Sequence, residues 1–184
     1  EKELMPICDG DFSPLEEQWD DIIVAARMAG FPLFLRTDHY SGKHNWKDTC
    51  YVAKEEDLKK HIAALIEESF MADILGIPIN ALVFREYIPM KTLFTAFYGD
   101  MPVNPEVRFF IKDRKVQCWH WYWIEEAIEQ GTPKNKLPSD WRERICISKS
   151  NITSAVMDLE DEAVIVAKEF DGYFSVDFCL SANN

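Results

Sequence analysis

Apolar residues recur at helical spacing in three long stretches of this chain and alternate with polar ones in several short stretches. Leu15, Trp19, Ile22, Ile23, Ala26 and Ala29 form the first helical stripe. Ser13-Pro14-Leu15-Glu16 reads as its start, with Ser13 as cap, Pro14 at the first helical position and Glu16 returning a bond to the cap; Gly30 is its stop. A second stripe of Leu58, Ile62, Leu65, Ile66 and Phe70 predicts a helix over 55–72, broken by Ile77-Pro78-Ile79-Asn80. A third, with Val156, Leu159, Ala163, Val166, Ala167 and Phe170, predicts a helix over 153–170 that ends at Asp171-Gly172.

The short apolar runs predict strands at 31–36, 49–53, 81–88 and 93–98, with the last two separated near Pro89. A loop over 99–105 carries two prolines and a glycine. Residues 106–112 and 116–123 read as the arms of a hairpin across Asp113-Arg114-Lys115. On the first arm Val107, Phe109 and Ile111 share one face, and Glu106, Arg108, Phe110 and Lys112 the other. Residues 131–138 read as a polar connector, and 141–149 fit helix or strand equally well. In the final strand, 173–180, Phe174, Val176, Phe178 and Leu180 face one way, and Ser175, Asp177 and Cys179 the other.

Helix, strand, loop, strand, helix, strand, then a mostly antiparallel section with one more helix is an α+β order, not a regular βαβ series. It divides into an N-terminal segment and helix over 1–30, a lobe over 31–88 and a second lobe over 89–184. The joint falls near Tyr87–Met90.

With 47% hydrophobic and 13% aromatic residues, the chain can bury a real core. Asp and Glu number 32 against 20 Lys and Arg, a net charge of −12, which sets the surface against a polyanion such as nucleic acid. No apolar run reaches the length of a membrane span, and no charged-then-apolar leader opens the sequence, so the expected location is cytoplasmic. Cys8, Cys50, Cys118, Cys146 and Cys179 are odd in number, scattered and without CxxC spacing, as free thiols in a reducing compartment would be.

Against this acidic background the stretch from Phe31 to Val52 is locally cationic. Arg36 ends an apolar strand; Lys43 follows Ser41-Gly42, where a backbone can approach a ligand; His39, His44 and Lys47 are close by. Several donors together suit a polyphosphate. The alternative is a surface ion pair for Arg36 and a solvated Lys43. Neither GxxxxGK[ST] nor GxGxxG occurs. Glu86-Tyr87-Ile88 end a strand before Pro89, where a base could pair with backbone groups, or where an edge strand simply stops. Arg108 either lines a cleft or faces water. Asp177 stands mid-strand among aromatics and calls for a partner: Mg2+ with substrate phosphates, or an Arg or Lys across the sheet. Trp119, Trp121 and Trp123 alternate with His120 and Tyr122, as a stacking platform or as core packing against a helix.

Taken in order, these pieces resemble the ATP-grasp superfamily, most nearly its divergent members and the eukaryotic initiation-factor assembly chaperones that share the fold. The residues that carry the resemblance are Leu35-Arg36-Thr37-Asp38, then Ser41-Gly42-Lys43 and Asn45-Trp46-Lys47-Asp48. Val83-Phe84-Arg85-Glu86-Tyr87-Ile88, Glu106-Val107-Arg108-Phe109-Phe110-Ile111 and Val176-Asp177-Phe178 follow downstream, so that the similarity spans about 31–180. It implies a two-lobed ATP-grasp fold with antiparallel-rich sheets, helices and a nucleotide cleft between the lobes. It also implies Arg36 and Lys43 on phosphates, Glu86, Tyr87 and Ile88 around adenine, Arg108 toward the γ-phosphate or substrate, and Asp177 on Mg2+. The family pattern continues with a turn and a further strand that supplies a second acidic ligand and often an Asn. Ser181-Ala182-Asn183-Asn184 stands where that turn is expected. The resemblance therefore implies either a truncated chain, its second lobe incomplete at the C-terminus, or an incomplete metal set.

The leading expectation is thus an ATP- and Mg-dependent ligase that forms a carbon–nitrogen bond through an acyl phosphate on a small carboxylate. Its partners would be ATP and an unidentified small-molecule or protein substrate. The alternative is a non-catalytic ATP-binding assembly or interaction module. Polynucleotide ligation is disfavoured by the charge and by the lack of a KxDG motif.

Overall fold

The structure, a computed structural model, describes residues 3–72 and 76–182. It is α+β, 41% helix and 23% strand, with antiparallel pairing throughout both three-stranded sheets. Two compact units are present: Glu1–Ile88 with Tyr98–Met101, and Pro89–Phe97 with Pro102–Asn184.

The first unit contains helices α1 (Met5–Cys8), α2 (Trp19–Ala29) and α3 (Leu58–Ala72) and strands β1 (Leu33–Thr37), β2 (Tyr51–Val52) and β3 (Leu82–Glu86). The sheet order is β2-β1-β3, which leaves β3 at an edge. Alternation on β1 sends Leu33, Leu35 and Thr37 inward and Phe34 and Arg36 to the opposite face. The inward side chains meet Ile22 and Ala26 of α2 and Leu58, Ile62, Leu65 and Ile66 of α3, all buried. The helical stripes thus pack as their spacing requires.

Local sequence signals misplace one boundary. Ser13–Leu15 forms a separate 3-10 turn, and α2 begins only at Trp19. Ser13 makes no side-chain cap; instead its backbone N–H donates to Asp11 Oδ1 at 2.9 Å. An Asx-type turn has taken the place of the expected cap. The returning strand is also shorter than expected, because residues 43–50 close into a 3-10 turn and further turns before Tyr51.

The second unit contains β4 (Phe94–Ala96) and all but the first residue of β5 (Met101–Val103), which pair as a small sheet; β5 lies in a stretch expected to be all loop. Next come β6 (Glu106–Lys112), β7 (Lys115–Trp121), α4 (Glu125–Gly131), α5 (Trp141–Thr153), α6 (Val156–Glu169) and β8 (Tyr173–Cys179). The order β7-β6-β8 puts β6 in the middle. The β6–β7 turn is Asp113-Arg114, both left-handed at φ 50° and 63°, so it is tighter than the expected connection. Val107, Phe109 and Ile111 are fully buried against Ile152, Val156, Ala163 and Ala167. The ambiguous stretch over 141–149 is helical, and α4 was not foreseen in the chain at all. Its one deeply buried residue is Ile128, too sparse a pattern for periodicity to reveal. Trp119 and Trp121 pack on this core, while Trp123 lies beyond the strand and donates from Nε1 to the Asn104 carbonyl at 2.9 Å. Asn183 and Asn184, where part of the expected turn falls, lie outside the described residues.

Candidate functional site

The basic loop of the first unit is strapped from inside. Thr37 Oγ1 donates to the Tyr40 carbonyl and accepts from the Tyr40 N–H. Thr49, fully buried, donates to the carbonyls of both Gly42 and Asn45, at 2.7 and 2.8 Å. His61 on α3 lies with Nδ1 2.9 Å from the Thr49 carbonyl. Gly42 is left-handed at φ 59°, and a Cβ there would press on the Thr49 side chain. Gly99 of the Tyr98–Met101 segment passes so close to the backbone of Asn45 and Trp46 that any side chain would overlap it. Hydrogen bonds from Gly99 N–H to the His44 carbonyl and from Lys47 N–H to the Gly99 carbonyl hold this approach.

Within that frame the cations are partly spoken for. Arg36, on the face of β1 away from the core, turns back and donates from Nε to the Thr37 carbonyl at 2.8 Å. Lys47 pairs with Asp100 at 2.7 Å, and His39 lies 3.0 Å from an Asp38 carboxylate oxygen. His44 keeps exposed surface, yet partial desolvation and the neighbouring Lys43 push its pKa down. Burial alone would raise Asp38, but hydrogen bonds from Asn80 and His39 outweigh it and hold the carboxyl below its usual range. Lys43 sits in the 3-10 turn Lys43–Asn45.

Glu86 ends β3 opposite Leu33, Ile88 is exposed, and Tyr87 joins an aromatic group that sequence reasoning did not assemble. Its ring lies 5.1 Å from Tyr51 and 6.2 Å from Trp46. Trp46 stacks on Tyr51 at 5.8 Å and touches Phe34. These four half-buried rings share a face with Arg36, because Phe34 and Arg36 are two apart on one strand. The signal was present in Phe34 and Tyr51, which occupy opposite positions on β1 and β2, but their register is set only by the pairing of the two strands.

In the second unit β8 runs antiparallel to β6 with Arg108 directly opposite Asp177. The guanidinium grips the carboxylate in a fork, Nε to Oδ1 at 2.6 Å and Nη2 to Oδ2 at 2.7 Å. Both side chains are about one-third exposed, 31% and 33%. The Tyr122 ring lies 4.6 Å from Arg108 Cζ. The fork, chiefly the hydrogen bonding of Arg108 to Asp177, pushes the Arg108 pKa further up, so the residue is a permanent cation. The Phe110 ring lies on the same face, 5.2 Å from His120 and 6.3 Å from Tyr173. Arg36, Lys43, Glu86, Tyr87 and Ile88 thus belong to the first unit, and Arg108 and Asp177 to the second.

These positions bear directly on a magnesium ion. Both Asp177 oxygens already accept from Arg108, and no three His, Cys, Asp or Glu side chains among the described residues gather where a metal could sit. Asp177 in this arrangement does not by itself make a Mg2+ site. The chemistry on offer at this face is recognition of a planar or tetrahedral oxyanion by Arg108. Among the described residues no helix is long and apolar enough to cross a membrane. Comparison with family models, with curated proteins and with solved structures returns no match.

Proposed function

We propose that this chain is an ATP-binding protein of the ATP-grasp type, acting as a ligase that activates a small carboxylate. The observation that carries the reading is the face of the first unit on which Arg36 lies with the rings of Phe34, Trp46, Tyr51 and Tyr87. In the second unit β6 and β8 bring Arg108 opposite Asp177 on the sheet face away from the core, the ion pair that stood as the alternative to a metal there. The finer fold proposed is the two-lobed ATP-grasp fold, with a nucleotide shared by the two lobes. In it the first unit contributes Arg36 and Lys43 to phosphates, and Glu86, Tyr87 and Ile88, with the rings around Tyr87, to adenine. Mg2+ enters the proposal only as the ion that accompanies the nucleotide.

The reaction proposed is transfer of the γ-phosphoryl group to a carboxylate oxygen, with ADP leaving. An amine then attacks the acyl carbon and phosphate is released. Arg108 would stabilise charge on the transferred group, a role of positioning and electrostatics that needs no side-chain nucleophile. A cytoplasmic setting belongs to the same proposal, resting on five free cysteines.

One observation favours a second reading. With both Asp177 oxygens engaged by Arg108, a nucleotide-binding module without catalysis fits the same residues. Thermal melting tests the shared premise: Mg-ATP is expected to raise Tm, and Arg36→Ala and Arg108→Ala to abolish the rise. An unshifted wild type would end the nucleotide reading. ATP turnover on a panel of carboxylates and amines then separates ligase from module.

A further inference from the structure

We infer that Asp177 is the resting occupant of an oxyanion seat on Arg108, and that an anionic ligand enters by displacing this carboxylate. The inference rests on the proposed nucleotide reading for the ligand's identity, as the polyphosphate of ATP, but not for the geometry. Three features define the seat. Arg108 offers two parallel N–H groups in one plane, at Nε and Nη2, and both are used by a single carboxylate. That fork is the geometry with which a guanidinium binds a carboxylate or a phosphate, so Asp177 and a phosphate compete for the same donors. The guanidinium has a second support in the Tyr122 ring, 4.6 Å from its Cζ, which holds Arg108 in place when Asp177 leaves. Asp177 is itself partly exposed, and releasing it to water leaves no buried charge.

Two other titratable groups flank the seat, His120 opposite Arg108 on β7 and Glu106 two positions away on β6. Arg114 is paired with Asp171 at the far turn, and Lys112 lies opposite Lys115 and Tyr173 at that same end. Asp177 spends one acceptor site of each oxygen on Arg108, and a cation there would face the guanidinium charge as well, so the pair disfavours metal binding while it is closed. In the absence of metal the carboxylate obstructs the ligand; it becomes free for other contacts only once the ligand holds Arg108.

A ligand that binds only unpaired Arg108 loses affinity by the fraction of time the pair is closed. For an exposed bidentate pair that loss is about fivefold. Inorganic triphosphate, titrated by calorimetry into the full chain in EDTA, is the probe. Asp177→Asn keeps the shape, weakens the fork and is expected to bind triphosphate about fivefold more tightly than wild type. Asp171→Asn makes the same change of net charge in the turn before β8 without touching the seat, and is expected to leave the affinity unchanged. Arg108→Lys, which retains the charge and loses the fork, is expected to bind no better than wild type.

Equal gains for Asp177→Asn and Asp171→Asn would reduce the effect to net charge and overturn the inference. So would an Asp177→Asn variant that binds no more tightly than wild type. Should Asp177→Asn not fold, Asp177→Ser replaces it with the same expectation. Failure of wild type to respond to Mg-ATP strikes the nucleotide reading instead, and leaves the triphosphate result to decide the seat.

Discussion

The two cationic features of this protein differ in how their charge is held. The Phe31–Val52 stretch gathers more basic residues, yet Arg36 folds back on the Thr37 carbonyl, Lys47 pairs with Asp100, and the loop is strapped by Thr49 and His61. On the β7-β6-β8 sheet Arg108 projects from the middle strand, supported by Tyr122 and answered by one carboxylate. A count of charges favours the loop; the disposition of donors favours the strand. A loop spends its polar groups on its own backbone, because its carbonyls lack the partners that sheet and helix supply. A strand has already satisfied its backbone and can project a side chain whole.

The contrast can be broken most severely at Gly99. Gly99→Ala puts a side chain into the backbone of Asn45 and Trp46, and is expected to cost roughly 3 kcal/mol or more, read as lost Tm. Thr49→Val removes both internal straps while keeping the shape. Chemical denaturation should register about 1 kcal/mol, because one shared hydroxyl proton is lost while the Gly42 and Asn45 carbonyls keep their backbone donors.

A pH titration sharpens the same point. Burial pushes the Cys50 thiol from 9.0 up to about 12. Between those values the unfolded thiol ionises and the folded one does not, so the unfolded state binds fewer protons and stability falls as pH rises. Wild type should lose up to about 1.4 kcal/mol per pH unit in this window relative to Cys50→Ala, measured by urea denaturation at each pH. On the strand side the expected effect is also small. A double-mutant cycle on Arg108→Ala and Asp177→Ala should give a coupling of about 1 kcal/mol, because the pair is one-third exposed and screened by water.

Much of the fold was legible. The α2, α3 and α6 stripes and the alternation on β6 and β8 pack as their periods demand, since burial of one face is the dominant local constraint. Helix α4 was missed because it buries Ile128 alone, and the start of α2 because Asp11 captured the Ser13 N–H ahead of the helix. Of the candidate site, Asp177 was visible as a charge set mid-strand among aromatics, and Arg108 as one of three charges on the polar face of β6. The aromatic group around Tyr87 was not, because its rings come from β1, β2 and two connections that share no sequence period.

By itself, the sequence determined which residues had to be buried, which elements they would form and where a charge stood out of place, because periodicity and burial are local properties of the chain. Only the tertiary structure decided which charges meet. Asp177 had two eligible partners in the sequence, a metal ion or a cation across the sheet. The register of β8 on β6 put Arg108 there. A shift of one residue would have turned Asp177 into the core face, and that register is fixed by Phe174, Val176 and Phe178 seeking the core, not by the charges themselves.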